Sequence, residues 1–280
     1  MSSNRSASPG RGWRIDGWVI LTLVLLLLVL SPVVWLLMMS LKTEIDALAM
    51  PPKLVFVPTL ENYIGLLEAR FLRPLINSVV VAVTTTLLSL GLGVPAAYVL
   101  SRARTWAVGG IAFWILTTRM APPIAFGIPF FLAYRDLGWL DTLGGLILIY
   151  LTFNLSLVVW MMRTFFDAIP LSLEEAAYMD GASTWQAFRA VVLPLVGPGT
   201  AATAILCFLL AWNDFFYALV LTRSNAMTAP VAIVNFMNYA GWDWGRITAG
   251  SIIVALPVVA FSVPVRRYLI SGLTAGAVKG

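Results

Sequence analysis

The sequence predicts an all-α, polytopic membrane protein with six transmembrane helices and both termini cytoplasmic. Three observations lead there. Of 280 residues, 60% are apolar and 11% are charged, against about 25% charged in soluble domains, so too few polar groups exist to coat a water-facing surface. The apolar residues gather in six runs, each long enough to cross ~30 Å of hydrocarbon at 1.5 Å per residue. Lysine and arginine near the run ends favour one side of the membrane.

Each run has its own justification. Trp18–Met39 is broken only by Thr22, Ser31 and Pro32. It is longer than the 7–15 residues of a signal-peptide core, and Ser40-Leu41-Lys42 offers no small-x-small cleavage site, so a retained span is expected. Leu75–Leu100 follows. Trp106–Tyr134 is long and carries Arg119, Pro122, Pro123 and Pro129, so a kink or break is expected there. Leu143–Met162, Gly199–Leu221 and Ile247–Val265 complete the set. With the termini inside, the inner segments hold Arg5, Arg11, Arg14, Arg102, Arg104, Arg163, Arg189, Arg266, Arg267 and Lys279. The outer ones hold Lys42, Lys53, Arg70, Arg73, Arg135, Arg223 and Arg246. The inner excess would meet anionic lipid, so the basic pI of about 9.6 calls for no nucleic-acid partner.

The organisation that follows is a cytoplasmic tail (1–16), a first transmembrane helix with its outer loop (17–72), a core transmembrane domain (73–266) with a cytoplasmic loop (163–198), and a cytoplasmic C-terminal tail (267–280). Met1–Gly12 reads as disordered by composition. The chain has no histidine and one cysteine, Cys207. A Ser-His triad, a histidine metal site, a disulfide or a thiolate cluster therefore cannot be built. The three lysines, Lys42, Lys53 and Lys279, lie in no phosphate-binding loop. No enzyme, catalytic residue, metal or cofactor of this chain is expected.

The cytoplasmic loop carries the strongest signal. It reads Ile169-Pro170-Leu171-Ser172-Leu173-Glu174-Glu175-Ala176-Ala177-Tyr178-Met179-Asp180-Gly181, then Ala182-Ser183-Thr184-Trp185-Gln186, and runs on to Leu193-Pro194. Ser172 with Glu175 and Ser183 with Gln186 each fit a capping box, and Gly181 suits a left-handed helix end. Two short helices joined by a sharp turn are expected outside the bilayer. The first carries three acids and no base, whereas helices resting on lipid headgroups favour lysine and arginine. A protein partner is the better expectation.

Glu175-Ala176-Ala177, then Gly181, then Val191, Leu193 and Pro194 at their spacing resemble the signature loop of the permease subunits of ATP-binding-cassette (ABC) importers. Three further segments are similar to the carbohydrate group, of the kind found in maltose-type permeases. They are Trp212-Asn213-Asp214, Gly138-Trp139-Leu140-Asp141-Thr142, and the tail Ser271–Gly280. The resemblance implies the type I importer fold in a bacterial inner membrane. It implies four partner chains: a homologous second permease, two ATPase subunits that bind ATP and Mg, and, outside the cytoplasm, a solute-binding protein. Glu175, Ala176, Ala177 and Gly181 would couple to the ATPase, and the C-terminal tail would reach toward it. The solute would be a sugar, polyol or related polar molecule. A non-carbohydrate solute is the alternative, and a stand-alone secondary transporter the more distant one, since Arg119 and Asp214 are the only intramembrane charges.

Polar groups inside the spans are the remaining candidates. Arg119 and Asp214 sit at compatible depths for an ion pair, because a lone charge in lipid is costly. Together with Asn154, Trp212 and Asn213 they are alternatively candidates for contact with solute. In the last outer loop, Asn235, Asn238, Tyr239 and Trp242 read either as an interfacial aromatic belt or as a contact with the binding protein. The first outer loop reads as an extended stretch around Met50-Pro51-Pro52 and then a short helix from Thr59-Leu60-Glu61-Asn62-Tyr63, also a candidate contact. Cys207 is expected to be packing.

Overall fold

The computed structural model describes residues 17–277 apart from Arg104, Ala121, Tyr239 and Ala240, and within that range side chains other than those of Ala107, Leu116, Asn238 and 262–277. The N-terminal tail 1–16, Arg104, Tyr239 and the last residues Val278, Lys279 and Gly280 of the C-terminal tail therefore lie outside the described residues, as do the side chains of Arg266 and Arg267.

Among the described residues, four helices are long and apolar enough to cross a membrane singly, and two bent pairs supply two further crossings if each pair is one span. The most apolar stretch of helix α1 (Gly17–Ser40) has a mean hydropathy of 2.9, and none of its residues is buried by the rest of the chain. It runs beside the last helix. Short helices α2 (Glu44–Ala47) and α3 (Glu61–Glu68) then lead to α4 (Leu72–Arg102). The third span is α5 (Trp106–Met120) and α6 (Pro123–Asp136), which meet at 92°. The break falls at Pro122 and Pro123, as expected where a proline is followed by another that cannot donate a helical bond. Helix α7 (Leu143–Asp167) is followed outside the spans by α8 (Ser172–Met179) and α9 (Thr184–Ala187).

From α9 the chain continues through a π-helical turn, Phe188–Val192, into α10 (Leu193–Leu195), and bends 75° into α11 (Gly197–Asn213). The π turn has a local cause. Pro194 has no N–H and crowds the preceding turn, and Leu193 N–H reaches back five residues to the Phe188 carbonyl. Helices α12 (Phe216–Leu221) and α13 (Ala229–Val234), a minimal hairpin of β1 (Met237–Asn238) with β2 (Gly241–Trp242), and α14 (Trp244–Ala277) complete the chain. The hairpin pairs Met237 with Trp242 and Asn238 with Gly241. It is a small addition to an otherwise helical molecule.

The core is the pairing of α4 with α7, the most extensive helix contact, with α11 packed against both. Ser78, Ala82, Thr85, Ser89, Gly93 and Ala97 recur every three or four positions along α4, and all are buried. Small residues in such a stripe let helix backbones approach closely where lipid gives no hydrophobic drive. Gly93 shows how closely: a Cβ there would lie 2.7 Å from a Val158 methyl. Cys207 is fully buried in the cluster formed with Val158, Met162 and Phe166, the packing role expected of it.

Candidate functional site

Two places concentrate polar groups: the helical loop after α7, and a cavity lined by α5, α6, α7, α11 and the start of α12.

In the loop, the second helix starts as its sequence dictates. Ser183 and Gln186 form a reciprocal capping box, the Gln186 side chain accepting from Ser183 N–H at 2.7 Å and the Ser183 hydroxyl from Gln186 N–H at 3.4 Å. The first does not. Ser172 is already helical, Leu171 occupies the cap position, and no side chain caps the end. The Ser172–Glu175 box is therefore absent, because Pro170 starts the turn and the N–H groups of Leu173, Glu174 and Glu175 bond the Pro170 and Leu171 carbonyls instead. Gly181 closes α8 at φ +86° with open space around its Cβ position, so a side chain there would strain the backbone and not the packing.

Glu175 and Ala176 are exposed, Ala177 is half-buried, and Met179, Asp180 and Gly181 are exposed. They form a free face of small, acidic and apolar groups. Glu174 points the other way and is the one buried residue of α8. Its Oε1 accepts from Arg102 Nε and Nη2, both at 2.7 Å, and its Oε2 accepts from the Tyr98 hydroxyl at 2.6 Å. Sequence reading counts Glu174 with Glu175 and Asp180 on the exposed surface of this helix, and the structure corrects that by burying Glu174. Adjacent helical residues point about 100° apart, so two neighbouring acids cannot share one face, and that alone hinted that one turns inward.

The intramembrane cavity has a volume of about 210 Å³ and is lined by Arg119, Pro123, Tyr150, Phe153, Asn154, Leu210, Ala211, Asp214 and Tyr217. It brings Arg119, Asn154 and Asp214 together. Arg119 and Asp214 form no ion pair. Asp214 Oδ1 instead accepts from the Tyr150 hydroxyl at 2.8 Å and from the N–H groups of Tyr217 and Ala218 at 3.1 and 3.3 Å. This residue thus satisfies the donors exposed at the start of α12, where the helix is interrupted after α11, a requirement for any interrupted helix within lipid. Asn154 donates to the Cys207 carbonyl at 3.3 Å. The Tyr217 hydroxyl, which sequence reading missed, is buried and lacks a hydrogen-bond partner among the described residues. Trp212 and Asn213 do not line the cavity. Trp212 is wholly buried, with its indole N–H bonded to the Val254 carbonyl of α14 at 2.9 Å, and Asn213 faces a separate groove against α13 and α14.

At the opposite end, Asp141 gathers the loop after α12. Its carboxylate accepts from the N–H groups of Arg223, Ser224, Asn225 and Ala226 at 2.8 to 3.3 Å, and from the Asn225 side chain at 3.1 Å. Burial alone would raise the Asp141 carboxyl, but the backbone donors outweigh it and hold it below the usual carboxylate range. Asn235 is exposed and Trp242 half exposed, its ring 5.0 Å from that of Trp244. The Asn238 backbone lies in the hairpin. In the first outer loop, Asn62 and Tyr63 turn inward. Asn62 donates to the Ser40 and Lys42 carbonyls, and Tyr63 bonds the Ser40 hydroxyl. Lys42 is buried between the rings of Trp35 and Phe56, 5.2 and 5.1 Å from their centres.

Comparison with known proteins places this geometry. Residues 89–268 match the family of binding-protein-dependent transport system inner membrane components. The chain is 39% identical over 274 residues to the trehalose transport system permease protein SugB of Mycobacterium tuberculosis (strain CDC 1551 / Oshkosh), covering 95% of this chain and 98% of that one. It is 38% identical over 275 residues to the probable ABC transporter permease protein y4oR of Sinorhizobium fredii (strain NBRC 101917 / NGR234), covering 98% and 99%. Among solved structures, a chain of a bacterial ABC transporter involved in the import of the acidic polysaccharide alginate superposes with a TM-score of 0.73 at 27% identity, covering 93% of this chain and 99% of that chain. The loop carrying the exposed Glu175 face and the cavity at the broken spans both fall within the matched residues, and the chain belongs to the family of binding-protein-dependent transport system inner membrane components.

Proposed function

We propose that this chain is the permease subunit of an ATP-driven, binding-protein-dependent importer for a sugar, polyol or related polar solute, and that it forms half of the translocation path in a bacterial inner membrane with both termini cytoplasmic. A homologous permease supplies the other half. ATP and Mg bind to two separate ATPase subunits, and a solute-binding protein delivers cargo from outside. The observation that carries this reading is the free face of α8. A short helix held outside the apolar spans exposes Glu175, Ala176, Met179 and Asp180 to solvent. Small residues permit close approach of a partner backbone, and Glu175 can pair with a base on it. Kinship with the trehalose permease and the alginate importer supports the carbohydrate class.

The cavity suits solute contact. Arg119, Asp214 Oδ2, Asn154 Oδ1 and the Tyr217 hydroxyl carry polar capacity that no hydrogen bond among the described residues uses. Phe153 and Tyr217 stack at 5.1 Å and add an aromatic wall that sugar C–H faces favour.

The test is co-purification with the ATPase encoded for the same system, comparing wild type with Glu175→Lys and Gly181→Val. Both variants should insert normally and lose the ATPase. Retention of the ATPase and of transport in both would refute the docking assignment. Tyr217→Phe and Arg119→Gln should keep the ATPase but require more solute for half-maximal uptake.

A further inference from the structure

Glu174 is the sole buried residue of the docking helix, so its carboxylate is the main side-chain tie between α8 and the membrane core. The tie is dense. Arg102, the last residue of α4, donates twice to Glu174 and once, at 3.4 Å, to the Ile169 carbonyl in the strand of chain entering α8. Its Nη1 donates to the Ser101 hydroxyl at 3.0 Å, which in turn donates to Asp167 at the end of α7 at 2.6 Å. Tyr98 bonds Glu174 and sets its ring 5.6 Å from Phe166 of α7 and 4.7 Å from Phe188 of the π turn. Removing one partner of a buried ion pair leaves an uncompensated charge, which gives this contact one geometry and makes it stiff.

The same helix is fastened at its other end. The Asn77 side chain donates to the carbonyls of Asn225 and Met227, each at 2.9 Å, and the Ser78 hydroxyl accepts from Ala229 N–H at 2.8 Å. From Asn77 to Arg102 is 25 helical steps, about 38 Å at 1.5 Å per residue. Helix α4 therefore joins the docking helix directly to the segment 225–229 that precedes α13 and the hairpin, across the full thickness of the bilayer.

Resting on the docking function proposed above, we infer that the Glu174–Arg102–Tyr98 clamp makes α8 and α4 move as one body and carries displacement of the docked helix to the outer segment 225–229. Glu174, Arg102 and Tyr98 are positioning residues. They lie outside the cavity and behind the free face of α8, and they set whether ATP-driven motion is felt outside.

The experiment uses the complete transporter, both permeases with the ATPase pair and the binding protein, reconstituted in lipid. The variants are Tyr98→Phe, Glu174→Gln, and the double Glu174→Gln/Arg102→Gln, which removes both charges and leaves no buried ion unpaired. Three readouts are taken: co-purification of the ATPase, basal ATP hydrolysis, and stimulation of hydrolysis by the loaded binding protein. The double variant is expected to assemble and hydrolyse ATP at the basal rate, while stimulation falls about tenfold, within the usual range of a coupling free energy between sites. Tyr98→Phe should fall between it and wild type. Full stimulation in an assembled double variant would overturn the inference. So would failure of the double variant and Tyr98→Phe alike to assemble despite normal insertion, since the clamp would then serve folding alone. A wild-type chain that binds no ATPase would instead refute the docking reading itself.

Discussion

Replacing Asp141 with alanine removes the group on which the loop after α12 is folded. Four consecutive backbone N–H groups, from Arg223 to Ala226, lose their acceptor at once, and so does the Asn225 side chain. A hydrogen bond to a charged group contributes about 1.5–3 kcal/mol, and a neutral one nearer 0.5–1.5. Asp141 is only half-buried and the freed amides can reach water, so each bond is taken near the low end. The sum is about 2–3 kcal/mol of local stability. Opening of the loop is then favoured by roughly 30- to 140-fold, at tenfold per 1.4 kcal/mol. Hydrogen exchange followed by mass spectrometry reads this directly: peptides covering 223–226 should lose that much protection, while α4 and α7 keep theirs. Asp141→Asn should fall between, because its amide nitrogen would face the N–H groups of Ser224 and Asn225. The pH dependence has a definite sign. The carboxyl is held below its ordinary 3.8 in the folded chain, so its contribution is complete above that value and fades as pH falls through the lower, folded one. The gap in thermal midpoint between wild type and Asp141→Ala should accordingly be constant above 3.8 and close below it. Unchanged exchange of 223–226 in Asp141→Ala would refute the account.

Three further outcomes are expected. Gly93→Ala should destabilise the purified chain by about 1–3 kcal/mol through overpacking, because the added methyl meets the stiff Val158 side chain at 2.7 Å. Adding Val158→Ala should recover part of the lost thermal midpoint. Ser183→Ala should cost about 1 kcal/mol by loss of a helix cap and loosen α9 in hydrogen exchange, whereas Ser172→Ala should change nothing, since its side chain caps no helix. Trp212→Phe should lower the unfolding free energy by about 0.6–1.7 kcal/mol, the range for interhelical hydrogen bonds within membranes, because the bond to Val254 on α14 is lost. Tryptophan fluorescence and thermal melting in detergent check it. A wild-type midpoint in that variant would contradict the assignment of Trp212 to packing.

How much was legible in the sequence depends on the range of the interaction. The spans could be read off because burial in lipid imposes one rule on some twenty consecutive residues, and the break of the third span because Pro122 and Pro123 act on their own neighbours. Gly181 and the Ser183–Gln186 cap were legible for the same reason, as three- or four-residue chemistry. Ser172 shows where local reading fails: its cap pattern is intact, but the turn begun at Pro170 sets the helix start one residue earlier. The inward face of Glu174 depends on Arg102, 72 positions away, and no local pattern encodes that distance.

The intramembrane charges make the same point. The cost of a charge in lipid required partners for Arg119 and Asp214, and pairing them with each other was the simplest solution. The tertiary structure decides otherwise: the start of α12 offers Asp214 two backbone donors, and α7 brings the Tyr150 hydroxyl to it. The sequence by itself determined which stretches are apolar enough to cross a membrane, where the chain turns, and which loop stands outside those stretches, because those follow from composition and from neighbours along the chain. Only the tertiary structure decided which acid is free to dock and which is clamped, and which polar groups share a cavity. Those choices belong to side chains brought together from distant helices, where the energy lies in contacts that the order of residues does not display.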